Sequence, residues 1–574
     1  MKGKIFIYPF LLILTLVFSA IFQECSALNR SLNIAKKTDV ICENLPFVIV
    51  VASYNNAFYY ERNLSSIFSQ DYQNFRVIYI DDASKDSTHE LVENYINANN
   101  LHNKIELIQN TTNKKALYNL YKAIHSCRND EIIVILDGDD WFANTHVLSD
   151  LNKYYADKNV WLTYGQYIRY PDEQLGLCRP VAKEFLTKGK PRQGPWLYSH
   201  LRTFYAGLFK RIKLEDLTQN GQFYPVTCDL AIMYPMLEMA REHSYFTPDI
   251  SYVYNWENPI TDEKIREQEQ LKIESYIRSL SQYKPVKDHP KEFFKKTNQD
   301  VSDLIIFSYN RPMQLYALLE STQKHVEGLR KIGVLYRSDS EYIDSYEKVK
   351  KQFPHVDYHQ QPKENPKKHF KPMLMEMLFG KFGKGSNYVI FAVDDIIVTD
   401  EINLTKDIDV MVKTGVYGIY YRLGKNINSC YMTGLYNHAK PNWIDLEEDL
   451  YSWQFQNEQG DWNYPNSLDF TLFRKIDIQK DFEDLSFTNP SELEGAWSLK
   501  APLKRMGICH AHSKQINIPM NLVTEFKNIY ANSFTTKELN KLFVEGLKID
   551  INHFNKFPNE SPHIGVNPKF ISID

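Results

Sequence analysis

The sequence predicts an α/β protein made of two open, parallel-sheet units in tandem, preceded by an N-terminal hydrophobic segment. Three observations predict it. Short β-branched runs alternate with amphipathic ones from Pro46 onward, the order that gives parallel sheets covered by helices on both faces. Two of these runs, Ile132–Leu136 and Tyr388–Val393, end in clustered carboxylates. Both follow a Ser-Tyr-Asn triplet at the same distance: Ser53 to Asp139 is 86 positions, and Ser308 to Asp394 is also 86. A three-residue match arises cheaply by chance. The same match with an Asp-Asp pair at equal offset points to a duplicated sheet.

At 574 residues the chain exceeds what one core usually supports, so more than one domain is expected. The expected bounds are 1–27 for a leader, 45–285 for the first domain and 300–574 for the second. The Lys-, Pro- and Asp-rich stretch Lys284–Gln299 reads as an exposed linker between them. A net charge of −4 without a long basic run argues against a nucleic-acid surface. The 38 Tyr and 33 Phe could stack on sugars or bases, but most are expected in the core. Seven scattered cysteines form no zinc spacing and no disulfide framework, so they leave the redox compartment open. Lys2 and Lys4 precede an apolar run from Ile5 to Phe22, followed by Cys25-Ser26-Ala27. That pattern suits either a cleaved signal peptide or a retained membrane anchor, and implies a membrane-associated or exported protein.

In the first half, Phe47–Ala52, Phe75–Ile80 and Ile105–Gln109 read as strands. Helices are expected over Tyr60–Ser69, from Ser87 to about Ala98, and over Lys114–Ser126. Ser87 and Glu90 have the spacing of a capping box. The fourth strand, Ile132–Leu136, leads into Asp137-Gly138-Asp139-Asp140. Open α/β sheets bind ligands at the carboxyl ends of their strands. Carboxylates this close repel one another unless a cation or strong donors sit among them. Mg²⁺ or Mn²⁺ takes such oxygen ligands and bridges them to a substrate's phosphates. A solvated Asp-Gly turn is the simpler alternative. Asp81-Asp82 closes the second strand in the same way, either as an Asx turn or as an acceptor for a base or ribose. No G-x-G-x-x-G or P-loop motif occurs.

Four ordered motifs then carry a resemblance: Val51–Asn55, Leu64–Gln70, Asp81–Thr88 and Asp137–Asp140. Together they resemble those of family-2 glycosyltransferases, enzymes of the GT-A fold that use nucleotide-diphosphate sugars. The resemblance implies tandem GT-A-like, Rossmann-like domains and a glycosyltransferase activity with Mn²⁺ or Mg²⁺ as cofactor. It implies that Asp82 contacts the nucleobase, with Ser53 and Asp137 also on the donor side. Asp139 and Asp140 are its metal ligands. Cys228-Asp229 and the following apolar stretch resemble the segment bearing the catalytic base, although the usual preceding acid is replaced by Cys228. Asp229 is thus the candidate base; an ordinary helix N-cap is the alternative. Arg202 could hold a phosphate in a bidentate grip or form a structural ion pair. One carboxylate base and direct displacement imply inversion at the anomeric carbon, with a glycan, lipid or protein hydroxyl as acceptor. Two rivals stay open. One is a carbohydrate- or nucleotide-binding protein that has lost turnover; the other is a metal-independent hydrolase using paired carboxylates.

The second half departs from the first. Its second strand ends in Tyr336-Arg337-Ser338-Asp339, without an acidic pair. Its acidic motif is Val393-Asp394-Asp395, and Asp395 is expected to hold a second metal. Glu494 and Asp469 lie in polar-aromatic segments of the kind that line sugar sites, either as a base or as structural acids.

Overall fold

Phe47–Ser53 (β1) is buried along nearly its whole length, as an unbroken apolar run requires when helices cover both faces of a sheet. In this computed structural model, residues 43–260, 262–293, 297–446, 449–456, 458–523 and 534–573 are described. The leader expected over 1–27 lies outside them. Among the described residues, no helix is long and apolar enough to cross a membrane.

β1 pairs in parallel with Phe75–Asp81 (β2) and Ile132–Ile135 (β4), and β2 pairs with Ile105–Gln109 (β3). Trp141–Phe142 (β5), Leu162–Tyr170 (β6) and Arg202–Tyr205 (β7) follow. Thr218–Gln219 (β8) and Gln222–Phe223 (β9) form a short separate hairpin. Ser244–Asn255 (β10) completes an eight-stranded sheet ordered β3-β2-β1-β4-β7-β6-β10-β5. β7 runs antiparallel to both its neighbours, so the sheet is mixed where the sequence pattern implied only parallel pairing. The expected helices form over Tyr60–Phe68, Thr88–Ala98 and Ala116–Ser126. The Ser87 side chain caps nothing, however. Asp86 takes that place, accepting hydrogen bonds from the Thr88 backbone and hydroxyl.

The second sheet repeats the first. Ser302–Tyr309 pairs in parallel with Leu329–Arg337 and Tyr388–Val393, and Asp357–Gln360 lies outside Leu329–Arg337. Thr471–Arg474 then runs antiparallel between Tyr388–Val393 and Gly418–Gly424. Met506–His510 follows in parallel with Gly418–Gly424. Seven consecutive positions therefore match in order and direction, well beyond the three strands in which the repeat was legible.

The ladders also correct the spacing. Gly138 N–H donates to Ala52 O, which continues the β1–β4 register and sets Gly138 beside Ser53. In the second sheet Phe307 pairs with Val393, so Asp394 stands beside Ser308. Asp394 is thus the counterpart of Gly138, and Asp395 that of Asp139. The equal count of 86 hides a slip of one residue, which in a strand exchanges the two faces.

The linker is largely exposed, as its composition implied, but it is pinned to the first half at several points. Tyr283 N–H donates to the buried Glu238 carboxylate at 3.0 Å and Val286 N–H to Met239 O at 3.1 Å. Pro290 is buried, and the Arg211 guanidinium lies 4.5 Å from the Phe293 ring centre. Glu238 is itself an acid inside an apolar helix, Cys228–Ala240, and is matched by the buried Arg192 at 2.7 Å. The halves touch each other as well. Arg505 pairs with Glu215 at 2.6 Å, and the Lys122 ammonium donates to Leu446 O.

Candidate functional site

The carboxyl ends of β1, β2 and β4 converge on the Asp137–Asp140 turn. Asn63, fully buried on the helix Tyr60–Phe68, pins that turn by donating to Asp137 O at 3.0 Å and Asp140 O at 2.7 Å. Ser53 is buried and receives hydrogen bonds from Tyr79 Oη at 2.9 Å and Asn56 Nδ2 at 3.0 Å. A Cβ on Gly138 would lie 2.7 Å from Ser53 Cβ and 2.6 Å from Asn56 Nδ2. Only glycine lets the turn sit this close to β1, the physical reason for the Gly in the motif.

The three acids of the turn differ sharply. Asp140 is fully buried and committed within the fold: Tyr252 Oη donates to it at 2.5 Å and Asn255 N–H at 2.7 Å. Burial, with Asp139 and Asp137 nearby, pushes its carboxyl well above the ordinary range. Asp140 is therefore corrected from metal ligand to a buried anchor that ties the turn to β10. Asp137 and Asp139 are partly exposed. Asp139 accepts from Asn258 Nδ2 at 2.6 Å, and Asp137 lies 3.7 Å from Arg202.

Asp82 needs a similar correction. Its two oxygens accept from Asn110 Nδ2 at 2.7 Å and from the Lys114 and Lys115 backbone N–H groups, each at 2.8 Å. At 3 % exposure it holds the loop after β3, which leaves little of its carboxylate to meet a base.

Arg202, at the start of β7, is buried and faces both candidate roles at once. It stands 3.7 Å from Asp137 and 3.9 Å from Asp229. It thus couples the turn to the candidate base through a cationic bridge, the structural ion pair that was the alternative to a phosphate grip. Asp229 is the second residue of the helix Cys228–Ala240; Thr227 takes the N-cap position, so Asp229 is no N-cap. Its side chain keeps a quarter of its surface exposed. Burial raises its carboxyl above the ordinary range, opposed by Arg202. His200 stacks on Tyr252 with ring centres 4.3 Å apart, and burial holds it neutral.

A dication fits this donor set. Asp137 and Asp139 offer hard oxygen ligands on the open side of the turn, with one cation, Arg202, against two carboxylates. Among the described residues, no group of three or more acidic, His or Cys side chains forms a closed metal cage. A Mg²⁺-type site shared with substrate phosphates needs only one or two protein carboxylates. Sequence reasoning missed Asn63, Tyr252, Asn255 and Asn258. All four reach the turn from elsewhere in the chain, and no local spacing connects them to it.

Residues 48–215 match the model of glycosyl transferase family 2. The N-terminal half carries a domain of this family. It is similar to the "Bifunctional glycosyltransferase pgtA" of Dictyostelium discoideum, 28 % identical over 192 residues, which are 30 % of this chain and 24 % of that protein. It is also similar to an "Uncharacterized glycosyltransferase" of Haemophilus influenzae, 29 % identical over 125 residues, 22 % of this chain and 48 % of that protein. The chain thus spans less than half the length of these curated relatives. A solved structure similar to it is a mannosyltransferase from Pyrobaculum calidifontis in complex with GDP-Man and Mn²⁺. It is 20 % identical with a TM-score of 0.30, covering 47 % of this chain and 76 % of that one.

Proposed function

We propose that the first half transfers a sugar from a nucleotide-diphosphate donor to a hydroxyl acceptor, with a dication and with inversion at the anomeric carbon. The observation that carries this reading is the bridge Asp137–Arg202–Asp229. It sets the partly exposed acids of the turn and a burial-raised carboxylate that keeps a quarter of its surface exposed on two sides of one guanidinium. The donor diphosphate belongs beside Asp137 and Asp139, where a bound Mn²⁺ or Mg²⁺ would offset charge on the departing phosphates. Asp229 accepts the acceptor hydroxyl's proton as that oxygen attacks, and a raised carboxyl is the better matched base near neutral pH. Arg202 keeps that base oriented and limits its rise. Asp140, Tyr252 and Asn63 hold the turn rigid, so that Asp137 and Asp139 meet the diphosphate without rearrangement.

The test is release of nucleoside diphosphate from a panel of UDP- and GDP-sugars, with Mn²⁺ and with EDTA. Turnover should require the dication and be lost in Asp139→Asn. Donor binding without diphosphate release, across donors and with glycan, lipid and peptide acceptors, would make this half a binding module. Turnover that ignores EDTA and survives Asp139→Asn would remove the dication from the reading.

A further inference from the structure

The second half holds a cavity of about 810 Å³ at the carboxyl ends of its parallel strands, the place that the Asp137–Asp140 turn occupies in the first. That volume is within the range of small-molecule sites. Asp394, Asp395, Asp461, Asp469, Glu492 and Glu494 line it.

Part of that charge is answered from within the chain. Arg311, 7 % exposed, reaches Asp394 at 2.9 Å and Asp395 at 3.2 Å. Asn521 fixes its other face, accepting from Arg311 Nε at 2.8 Å. Arg422 pairs with Asp461. His563 stands 3.5 Å from Asp469. Burial and the adjacent Asp469 push the Glu494 carboxyl up to about 7, so a proton accounts for much of its charge.

The register explains where Arg311 came from. It is two residues after the strand Ser302–Tyr309, as Asn56 follows Ser53 by three and Arg311 follows Ser308 by three. In the first half Gly138 faces Asn56; in the second the counterpart pair is Asp394 and Arg311. A neutral contact has been exchanged for an ion pair whose guanidinium also touches the acid matching Asp139. A second exchange lies at the end of the next strand. Arg337, paired with Tyr309 in the ladder, takes the position of Asp82 and lies 3.7 Å from the Tyr309 ring centre. Arg337 and Lys367 both line the cavity, Lys367 with Glu492 nearby. Deeper in, Asp395 Oδ1, Asp461 Oδ2 and His563 Nδ1 are buried with no hydrogen-bond partner among the described residues. Unmet acceptors in a roomy cavity suit a ligand rich in hydroxyls.

We infer that this cavity binds a sugar nucleotide without a divalent cation, Arg311 standing where the first half would hold its metal. The phosphates face Arg337 and Lys367, and the sugar hydroxyls donate to the inner carboxylates. Arg311 touches both carboxylates of the turn directly, at 2.9 and 3.2 Å, and so occupies the place between them that a dication would take, whereas Arg202 stands 3.7 Å from Asp137. The inference goes beyond the reading of the first half and does not need that half to turn over.

The experiment is calorimetric titration of the full chain with UDP-glucose, UDP-N-acetylglucosamine and GDP-mannose, each in EDTA and in Mn²⁺. One class of binding sites is expected in EDTA, and a further class with Mn²⁺. Arg337→Glu should weaken the EDTA-resistant class by about tenfold or more, Lys367→Glu should weaken it less, and Asp139→Asn should leave it intact. Absence of binding in EDTA for all three probes would overturn the inference. So would EDTA-resistant binding that Asp139→Asn abolishes and Arg337→Glu spares, which would assign it to the first half. Binding that Asp395→Asn removes but that appears only with Mn²⁺ would overturn it too, making Asp395 a metal ligand. Failure of the first-half reading looks different: no Mn²⁺-dependent class and no turnover, with the EDTA-resistant class unchanged.

Discussion

Beside the first strand of each sheet, the two halves handle the same crowding of carboxylates in opposite ways. In the first, Gly138 lets the turn press against Ser53 and Asn56, Asp140 is withdrawn into a hydrogen-bonded interior, and Asp137 and Asp139 keep an open side. In the second, Asp394 fills the space that Gly138 leaves, and Arg311 is drawn between it and Asp395. The backbone frame is common over seven strands, but its charge is not. A repeated fold fixes where a site lies; two or three side chains decide whether that site seeks a cation or already contains one.

The comparison breaks most visibly at Asp229. If Asp229 is the base, Asp229→Asn should lower the transfer rate roughly 10²–10⁴-fold while donor affinity holds. The wild-type rate should fall as pH drops through the raised Asp229 pKa, because the base must be unprotonated. The variant should lose that acidic limb. Rate–pH profiles of both proteins check it; a near wild-type rate would return Asp229 to a structural role.

Arg311→Ala comes next. It leaves two buried carboxylates without their cation, a loss of about 3–5 kcal/mol. Arg311→Asn combined with Asp394→Gly removes both partners and should cost clearly less. That pair of changes restores the Gly138–Asn56 contact in the second half, but Val393 stands where the first half has Asp137, so the variant should gain no more than weak Mn²⁺ binding through Asp395. Denaturant melts and Mn²⁺ titrations of the single and double variants decide whether the two turns are interchangeable.

Gly138→Ala should destabilise by about 1–3 kcal/mol, because the added methyl meets Ser53 and Asn56 inside a close-packed turn. A substitution at Gly495, which has open space where a Cβ would be, should have little effect. Thermal melts of the two alanine variants measure the difference.

Smallest is Arg505→Ala at the contact between halves, expected to cost about 1–2 kcal/mol. Its partner Glu215 is mostly buried, but Arg505 keeps a fifth of its surface in water. If the halves are energetically separate, only one transition of a calorimetric scan should move; if coupled, the whole melt should shift.

The sequence by itself determined the first four strands of the first half and three of their counterparts in the second, the location of both acidic turns and the tandem repeat. These are readable because apolar runs and strand-end carboxylates are local, and their chemistry survives without knowledge of neighbours. It also brought out Asp229, through the resemblance of Cys228-Asp229 and the apolar stretch after it to the segment that bears the family's catalytic base. Only the tertiary structure decided which acids are available. Asp140 and Asp82 look like their neighbours in the chain, but Tyr252, Asn255 and the 110–115 loop fold over them from residues far away or on another strand. The one-residue slip between Asp139 and Asp394 was likewise invisible, because register belongs to a pair of strands and a count of residues follows only one chain. Arg311 is three residues past a serine in both readings. That it ends between two buried carboxylates is a consequence of the ladder that carries Asp394 beside Ser308.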